Sequence, residues 1–436
     1  MGRLNELSAS EAAQLIAAGE ITSEALVEAC LARIAEREPV LKAWSFIDPA
    51  QALRQARACD SRPKRGPLHG IPVAVKDVID TADMPTDMGS PIYKNNRPVA
   101  DAAVVAQVRA AGGIILGKTV TAEFAGVAPG PTVNPYNPAH TPGGSSSGSG
   151  AAVADFMVPL AFGTQTGGSI QRPASYCGVM GYKPTYGIVS RTGLKFAAES
   201  LDTIGALARS VDDLALLAGV LVNRAPESGA MPAAPPRVGL CRTYLWPKAM
   251  PESQIALENA AARLGDAVIR EINLPADFSA LTEGREIINN YERARSMAHE
   301  WRHHREQLSP QLAKTIQLGL ETPFQRYADT LRMAESCRAL LPAVFADVDV
   351  LLAPAATGEA PPGLHWTGDS TFQGLWTLLH VPTISLPTHR GPNGLPVGVQ
   401  LIAPRYGDKH LFQIARWVWE RLGAPREGYG LRSRAA

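Results

Sequence analysis

The chain has 436 residues, 45% of them hydrophobic, with 42 Lys and Arg against 41 Asp and Glu. That length and apolar content suffice for one large core, and the balanced charge supplies no global field that would favour nucleic acid or an anionic membrane. The five cysteines, Cys30, Cys59, Cys177, Cys241 and Cys337, are scattered and lack C-x-x-C spacing, which argues against a disulfide framework or a zinc knuckle. Met1–Glu6 has no apolar core for export, and Glu6 stands where a myristoylation signal needs Ser or Thr. The longest apolar stretches, near 151–162 and 348–356, are too short to span a bilayer. A soluble, cytoplasmic protein acting on a small substrate is expected.

Residues 8–37 read as two amphipathic helices. Ser8 and Glu11 form a capping box, Gly19 ends the first helix, and Thr22 and Ser23 start the second, which runs to about Glu38. After the basic loop 61–66, Gly70–Asp77 is a β-branched run that delivers Lys76 at the end of a strand. Residues 101–111 read as helix and 112–118 as strand, the alternation of an α/β fold. Residues 151–162 read as helix then strand, between the Gly/Ser runs Thr141–Gly150 and Gly163–Pro173. Further strand and helix follow over 177–189 and 202–221, then a surface linker over Arg224–Pro236 and a strand at Val238–Cys241. Residues 252–264 and roughly 277–345 are mostly helical and shape a pocket rim. Strands at 348–354, 383–387 and 396–402 and a closing helix at 408–422 complete one large α/β domain over 1–436, a mixed twisted sheet covered by helices.

The two Gly/Ser runs flank sequence that wants burial, unlike a solvated linker. Thr166-Gly167-Gly168-Ser169 has the composition of a loop whose amides converge, and Pro173 suggests a helix starting near Ser169. Ser169 therefore reads as a nucleophile beside its own oxyanion hole. No histidine lies near in sequence, whereas a desolvated lysine can serve as base. Lys76 is the candidate, with Ser145 passing the proton between them.

With these motifs the chain resembles the amidase-signature hydrolases. The likeness runs from Gly70–Asp77 through Pro142–Gly148, Gly163–Ile170, Gly181–Gly187 and Ser200–Gly205 to Leu395–Ile402. It implies Ser169 as acylated nucleophile, Lys76 as base, and Ser145, joined to Gly144 by a cis peptide, as the bridging serine. It also implies an oxyanion hole of the Thr166, Gly167, Gly168 and Ser169 amides, with no metal or cofactor. Gln165 stands where that family usually has Asp, and Gln171 where it has Arg, so an amide pair able to keep a hydrogen bond replaces a charged one. Arg172 is similar to the malonamidase branch, where the equivalent arginine holds a substrate carboxylate. The implied substrate is a small amide, anilide or carbamate (urethane), with a homodimer as the expected self-association. The alternative is the glutaminase-type subunit of a tRNA-dependent amidotransferase, which needs a partner.

Other motifs compete. Lys76 alone would be a solvated strand-end lysine, and Arg172 could simply pair with a structural carboxylate. Gly144–Gly148 satisfies G-x-S-x-G with Ser146 as nucleophile, but Pro135, Pro138 and Pro142 precede it where an elbow needs a strand. His299-Glu300-Trp301-Arg302-His303 matches H-E-x-x-H, with Glu300 as base and Glu321 as third ligand of a zinc protease. Arg302, His304 and Arg305 crowd it with positive charge, so a solvated helix is the expectation. Cys177 reads as a small buried residue.

Overall fold

The computed structural model describes residues 3–222 and 231–422. Its strands are β1 (Trp44–Ile47), β2 (Pro72–Lys76), β3 (Ile114–Thr119), β4 (Leu160–Gln165), β5 (Met180–Lys183), β6 (Thr203–Ala208), β7 (Val238–Leu240), β8 (Val268–Glu271), β9 (Val350–Pro354), β10 (Thr383–Arg390) and β11 (Pro396–Ile402). They form one 11-stranded mixed sheet in the order β1-β3-β2-β4-β6-β5-β10-β11-β9-β7-β8. β2 lies parallel to both β3 and β4, and β7 to both β8 and β9, while the pairs from β4 to β9 across the middle are antiparallel. Every residue of β2 through β6 is buried, as expected of strands covered on both faces. The six strands on one side of the β5/β10 pairing all come from the first half of the chain, and the five on the other side from the second.

The helices are α1 (Ala9–Ala18), α2 (Ser23–Leu41), α3 (Pro49–Asp60), α4 (Ala103–Ala110), α5 (Ser147–Ala154), α6 (Gln171–Cys177), α7 (Val211–Leu221), α8 (Pro251–Leu264), α9 (Leu281–Ser296), α10 (Ala298–His303), α11 (Pro310–Glu321), α12 (Phe324–Ala339), α13 (Leu341–Val344), α14 (Thr371–Leu378) and α15 (Asp408–Arg421). α5 packs on β2, β3, β4 and β6, and α6 on β5, β10 and β11. Away from the sheet, α9 packs against α11, α12 and α14. Among the described residues no helix is long and apolar enough to cross a membrane.

The expected elements form, with differences that have local causes. The Ser8–Glu11 capping box and the left-handed Gly19 bound α1. α2 passes Glu38 to end at Leu41, because the Glu38 carboxylate accepts the Ala43 and Trp44 amides, each at 2.9 Å, and draws the chain straight into β1. α3 lies outside the expected elements, although Asp48 caps it by accepting Gln51 N at 3.0 Å and Pro49 occupies its first position. β1, β8 and α14 also lie outside them. α5 begins inside the first Gly/Ser run. A Cβ on Gly148 would stand 2.1 Å from Ala43 O and 2.5 Å from Val120 N, so only glycine lets the helix approach this closely. Of the linker expected over Arg224–Pro236, residues 224–230 lie outside the described residues.

Candidate active site

Lys76, Lys118 and Lys183 are fully buried, and their partners separate them. Lys118 lies 3.3 Å from the Asp77 carboxylate and donates to the carbonyls of Ile79 and Pro85 as well as to the hydroxyls of Thr81 and Thr86. Lys183 donates to the carbonyls of Pro184 and Val381. Lys76 Nζ meets hydroxyls alone among the described residues, Ser145 Oγ and Thr164 Oγ1, each at 2.7 Å, with no carboxylate or carbonyl beside it. Carboxylates and carbonyls only accept, whereas a hydroxyl can also donate to an amine lone pair. Of the three, Lys76 is thus the one whose partners all suit a neutral amine, with no carboxylate or carbonyl to hold it as an ammonium. Burial pushes its pKa well below 10.5; Asp202 opposes that shift, while Arg172 and Arg293 add to it.

Ser145 follows a cis peptide from Gly144. The next residue, Ser146, is fixed on β4: its hydroxyl accepts Thr164 N at 3.2 Å and donates to Thr164 O at 3.3 Å. That commitment, and the lack of a strand leading into it, fit the expectation that the G-x-S-x-G match is accidental.

Ser169 sits in the loop between β4 and α6 and lines a cavity of about 380 Å³ together with Thr166, Gly167 and Gly168. The amides of Gly167, Gly168 and Ser169 have no acceptor among the described residues. Gln165 closes this loop on itself: its Oε1 accepts Ile170 N at 2.9 Å and Gln171 N at 3.1 Å, and its Nε2 donates to Thr377 Oγ1, which donates on to Gly167 O. An ionised Asp could accept from the two amides but could not donate to Thr377. The expected bond between the Gln165 and Gln171 side chains does not form. Gln165 instead holds the Gln171 backbone, and the Gln171 side chain turns to Thr383 O and Oγ1. Asp202 anchors the other side, accepting Thr166 Oγ1 at 2.5 Å and the Ala197 and Ala198 amides.

Residues 25–412 match the family model described as Amidase. The chain belongs to the amidase family. A curated relative from Chloroflexus aurantiacus, one of the subunits of its glutamyl-tRNA(Gln) amidotransferase, is 35% identical over 97% of this chain and 98% of its own length. A solved complex described as revealing the origins of an s-triazine catabolic enzyme contains a chain with TM-score 0.88 and 29% identity, covering 96% of this chain and 99% of that one. The peptide amidase of Stenotrophomonas maltophilia matches with TM-score 0.81 and 29% identity over 98% and 99% of the two chains. Family membership makes this chain an amidase-signature hydrolase acting on carbon–nitrogen bonds.

In this amidase-family chain Arg172 borders the cavity, but its guanidinium is engaged by the chain itself. Nη2 donates to Gly144 O at 2.5 Å and to Thr367 Oγ1 at 2.9 Å, and Nη1 to Gly368 O at 2.8 Å. Burial pushes its pKa down to about 10. The H-E-x-x-H motif falls on α10, where the Glu300 carboxylate is fully buried and its Oε1 accepts from Lys195 Nζ and Tyr93 Oη, both at 2.6 Å, a structural role rather than that of a solvent-facing base. Among the described residues no three His, Cys, Asp or Glu are grouped to hold a metal ion. Cys177 is buried, its thiol pushed up by burial.

Sequence reasoning missed Thr164, which meets Lys76 across 88 residues through the β2–β4 pairing, a contact without local signal. Asp202 falls within the Ser200–Gly205 motif, which by itself assigns it no role. Three cavity residues, Arg285, Asn289 and Arg293, recur every four positions along α9 and share one helix face. They lie in the segment where no motif reached.

Proposed function

We propose that the chain cleaves the C–N bond of a small amide, anilide or carbamate through an acyl-enzyme on Ser169. Neutral Lys76 draws a proton from Ser145, Ser145 takes the proton of Ser169, and Ser169 Oγ attacks the substrate carbonyl. The amides of Thr166, Gly167, Gly168 and Ser169 stabilise the oxyanion. The relay then returns the proton to the departing nitrogen, and water activated by the same route hydrolyses the ester. Arg172 has a positioning role here, holding the carbonyl of Gly144 beside the bridging serine. The observation that carries the reading is the buried 2.7 Å contact between Lys76 Nζ and Ser145 Oγ, next to Ser146, whose amide donates to the carbonyl of Ser169, a residue that lines the cavity. Ser169→Ala is expected to reduce ammonia or aniline release at least about a thousandfold, with loss of the acyl adduct that hydroxylamine traps from the parent. Undiminished turnover in the variant overturns the proposal.

The similarity to the Chloroflexus aurantiacus amidotransferase subunit over almost the full length of both chains favours a second reading. In it the same hydrolysis releases ammonia from glutamine for a tRNA-bound acceptor. The 477-position alignment exceeds the length of this chain, so the relative carries insertions that this chain lacks. Glutamine hydrolysis that appears only on adding amidotransferase partner subunits supports this reading; amide turnover by the chain alone, unchanged by those subunits, opposes it.

A further inference from the structure

Three guanidiniums border the cavity, and two are held by the chain. Arg172 is bound by Gly144, Thr367 and Gly368, and Arg293 donates to Phe124 O at 3.0 Å. Arg285 is different. Its side chain is only 17% exposed, yet its one ion pair among the described residues is a 3.5 Å approach to Glu286, a side chain 64% exposed. A guanidinium held largely out of water with so loose a partner lacks the acceptors that buried charge requires.

Its position is set by two glycines. A Cβ on Gly374 of α14 would stand 2.7 Å from Arg285 Nε and 2.8 Å from Cδ, so the helix leaves a gap through which the side chain passes. At its far end, Nη1 lies 3.3 Å from where a Cβ on Gly167 would be, which puts the guanidinium beside the loop that carries Ser169. Asn289, one turn further along α9, lines the same cavity. Asp369 and Glu286 also line the cavity and their charge acts on Arg285, but among the described residues neither closes a short ion pair with it, and the Asp369 Oδ1 is already engaged by Thr371 N and Oγ1.

We infer that Arg285 is the specificity-determining residue of this site, binding a carboxylate carried by the amide substrate through its planar fork of donors. This deepens the acyl-transfer reading of the same cavity and rests on it. Arg172 then shapes the reaction centre while Arg285 selects what enters it. The preferred substrates are ω-amido acids, short chains with a carboxamide at one end and a carboxylate at the other. Such an anion supplies the planar acceptor pair that Arg285 lacks.

The test follows ammonia release from malonamate, succinamate and glutaramate, each against its methyl ester. The parent is expected to favour the acids. Arg285→Met is expected to reduce the acid-over-ester preference by about 10- to 100-fold, mainly through KM, as for loss of a charged hydrogen bond. Arg285→Lys should restore part of it, and Gly374→Ala, which crowds Nε without removing the charge, should lower it in the same direction. A preference unaltered in Arg285→Met, or a parent indifferent to the carboxylate, overturns the inference. Calorimetric binding of the three acids to Ser169→Ala, with and without Arg285→Met, separates the two levels of the argument. Weakened binding without turnover in the parent defeats the acyl-transfer reading alone. Turnover abolished by Ser169→Ala, with binding indifferent to Arg285, defeats the role of Arg285 alone.

Discussion

Replacing Gln165 by leucine keeps the volume of the side chain and removes every polar contact it makes. Two amides, Ile170 N and Gln171 N, lose their acceptor, and both residues are fully buried. An orphaned buried donor costs about 1–3 kcal/mol, so the pair costs about 2–6 kcal/mol. Against a total stability of about 5–15 kcal/mol, that shifts a urea transition midpoint visibly at unchanged slope. The loop that bears Ser169 is the segment released, so the acylation rate should fall along with the midpoint. Gln165→Glu sharpens the argument through pH. Its buried carboxyl, when protonated, both accepts from the amides and donates to Thr377, whereas the ionised form cannot donate. Burial raises the folded pKa of this group above its unfolded value, so its stability is present at acid pH and lost as pH rises through the folded pKa. If Gln165→Leu stays within about 1 kcal/mol of the parent and acylates at the parental rate, the loop is held by something other than Gln165, and the reasoning fails.

Three further outcomes follow from the same contacts. Because burial holds Lys76 below 10.5 and the neutral amine is the working form, acylation should rise with pH along a limb below that value. Thr164→Val, which removes an acceptor of the ammonium, should move that limb to still lower pH in a pH–rate profile. Lys183 is pushed down from 10.5 to about 7 by burial, so between about 7 and 10.5 the unfolded chain binds a proton that the folded chain does not. Parent stability should therefore rise with pH across that window, and Lys183→Met should flatten the rise in denaturant titrations. Gly148→Ala should destabilise the protein by about 1–3 kcal/mol in thermal melts, since its new methyl meets backbone at 2.1 and 2.5 Å; an unchanged melting temperature would show that α5 can retreat from β3.

What the sequence disclosed and what it hid divide along a physical line. The glycines and serines of 141–173 are local: their composition reports a tight turn, a small-residue helix and convergent amides within a few residues of one another. The strand ending in Lys76 is equally local. Thr164 beneath Lys76, Thr377 behind Gln165 and Gly368 behind Arg172 are joined only by strand pairing and helix docking across long separations. No periodicity encodes such contacts. α9 shows the same limit from the other direction. Its Arg285, Asn289 and Arg293 spacing is plain in the sequence, but an arginine stripe on a helix has the pattern of a solvated face until the cavity beneath it is known.

The division of the sheet at β5 and β10 has a bearing on how the protein is made. The six strands on the amino-terminal side, with Lys76, Ser145 and Ser169, leave the ribosome while β10 has yet to be synthesised. At about 5–20 residues per second, the roughly 200 residues between β5 and β10 take about 10–40 s to emerge. Throughout that interval β5 is an open edge, a hydrogen-bonding template for any passing strand. It is also the strand that carries Lys183, whose Nζ reaches the Val381 carbonyl only when that residue arrives beside it. Until then the charge stays on the nascent edge, where a lysine discourages the wrong partner; afterwards the same side chain becomes the stitch between the two halves.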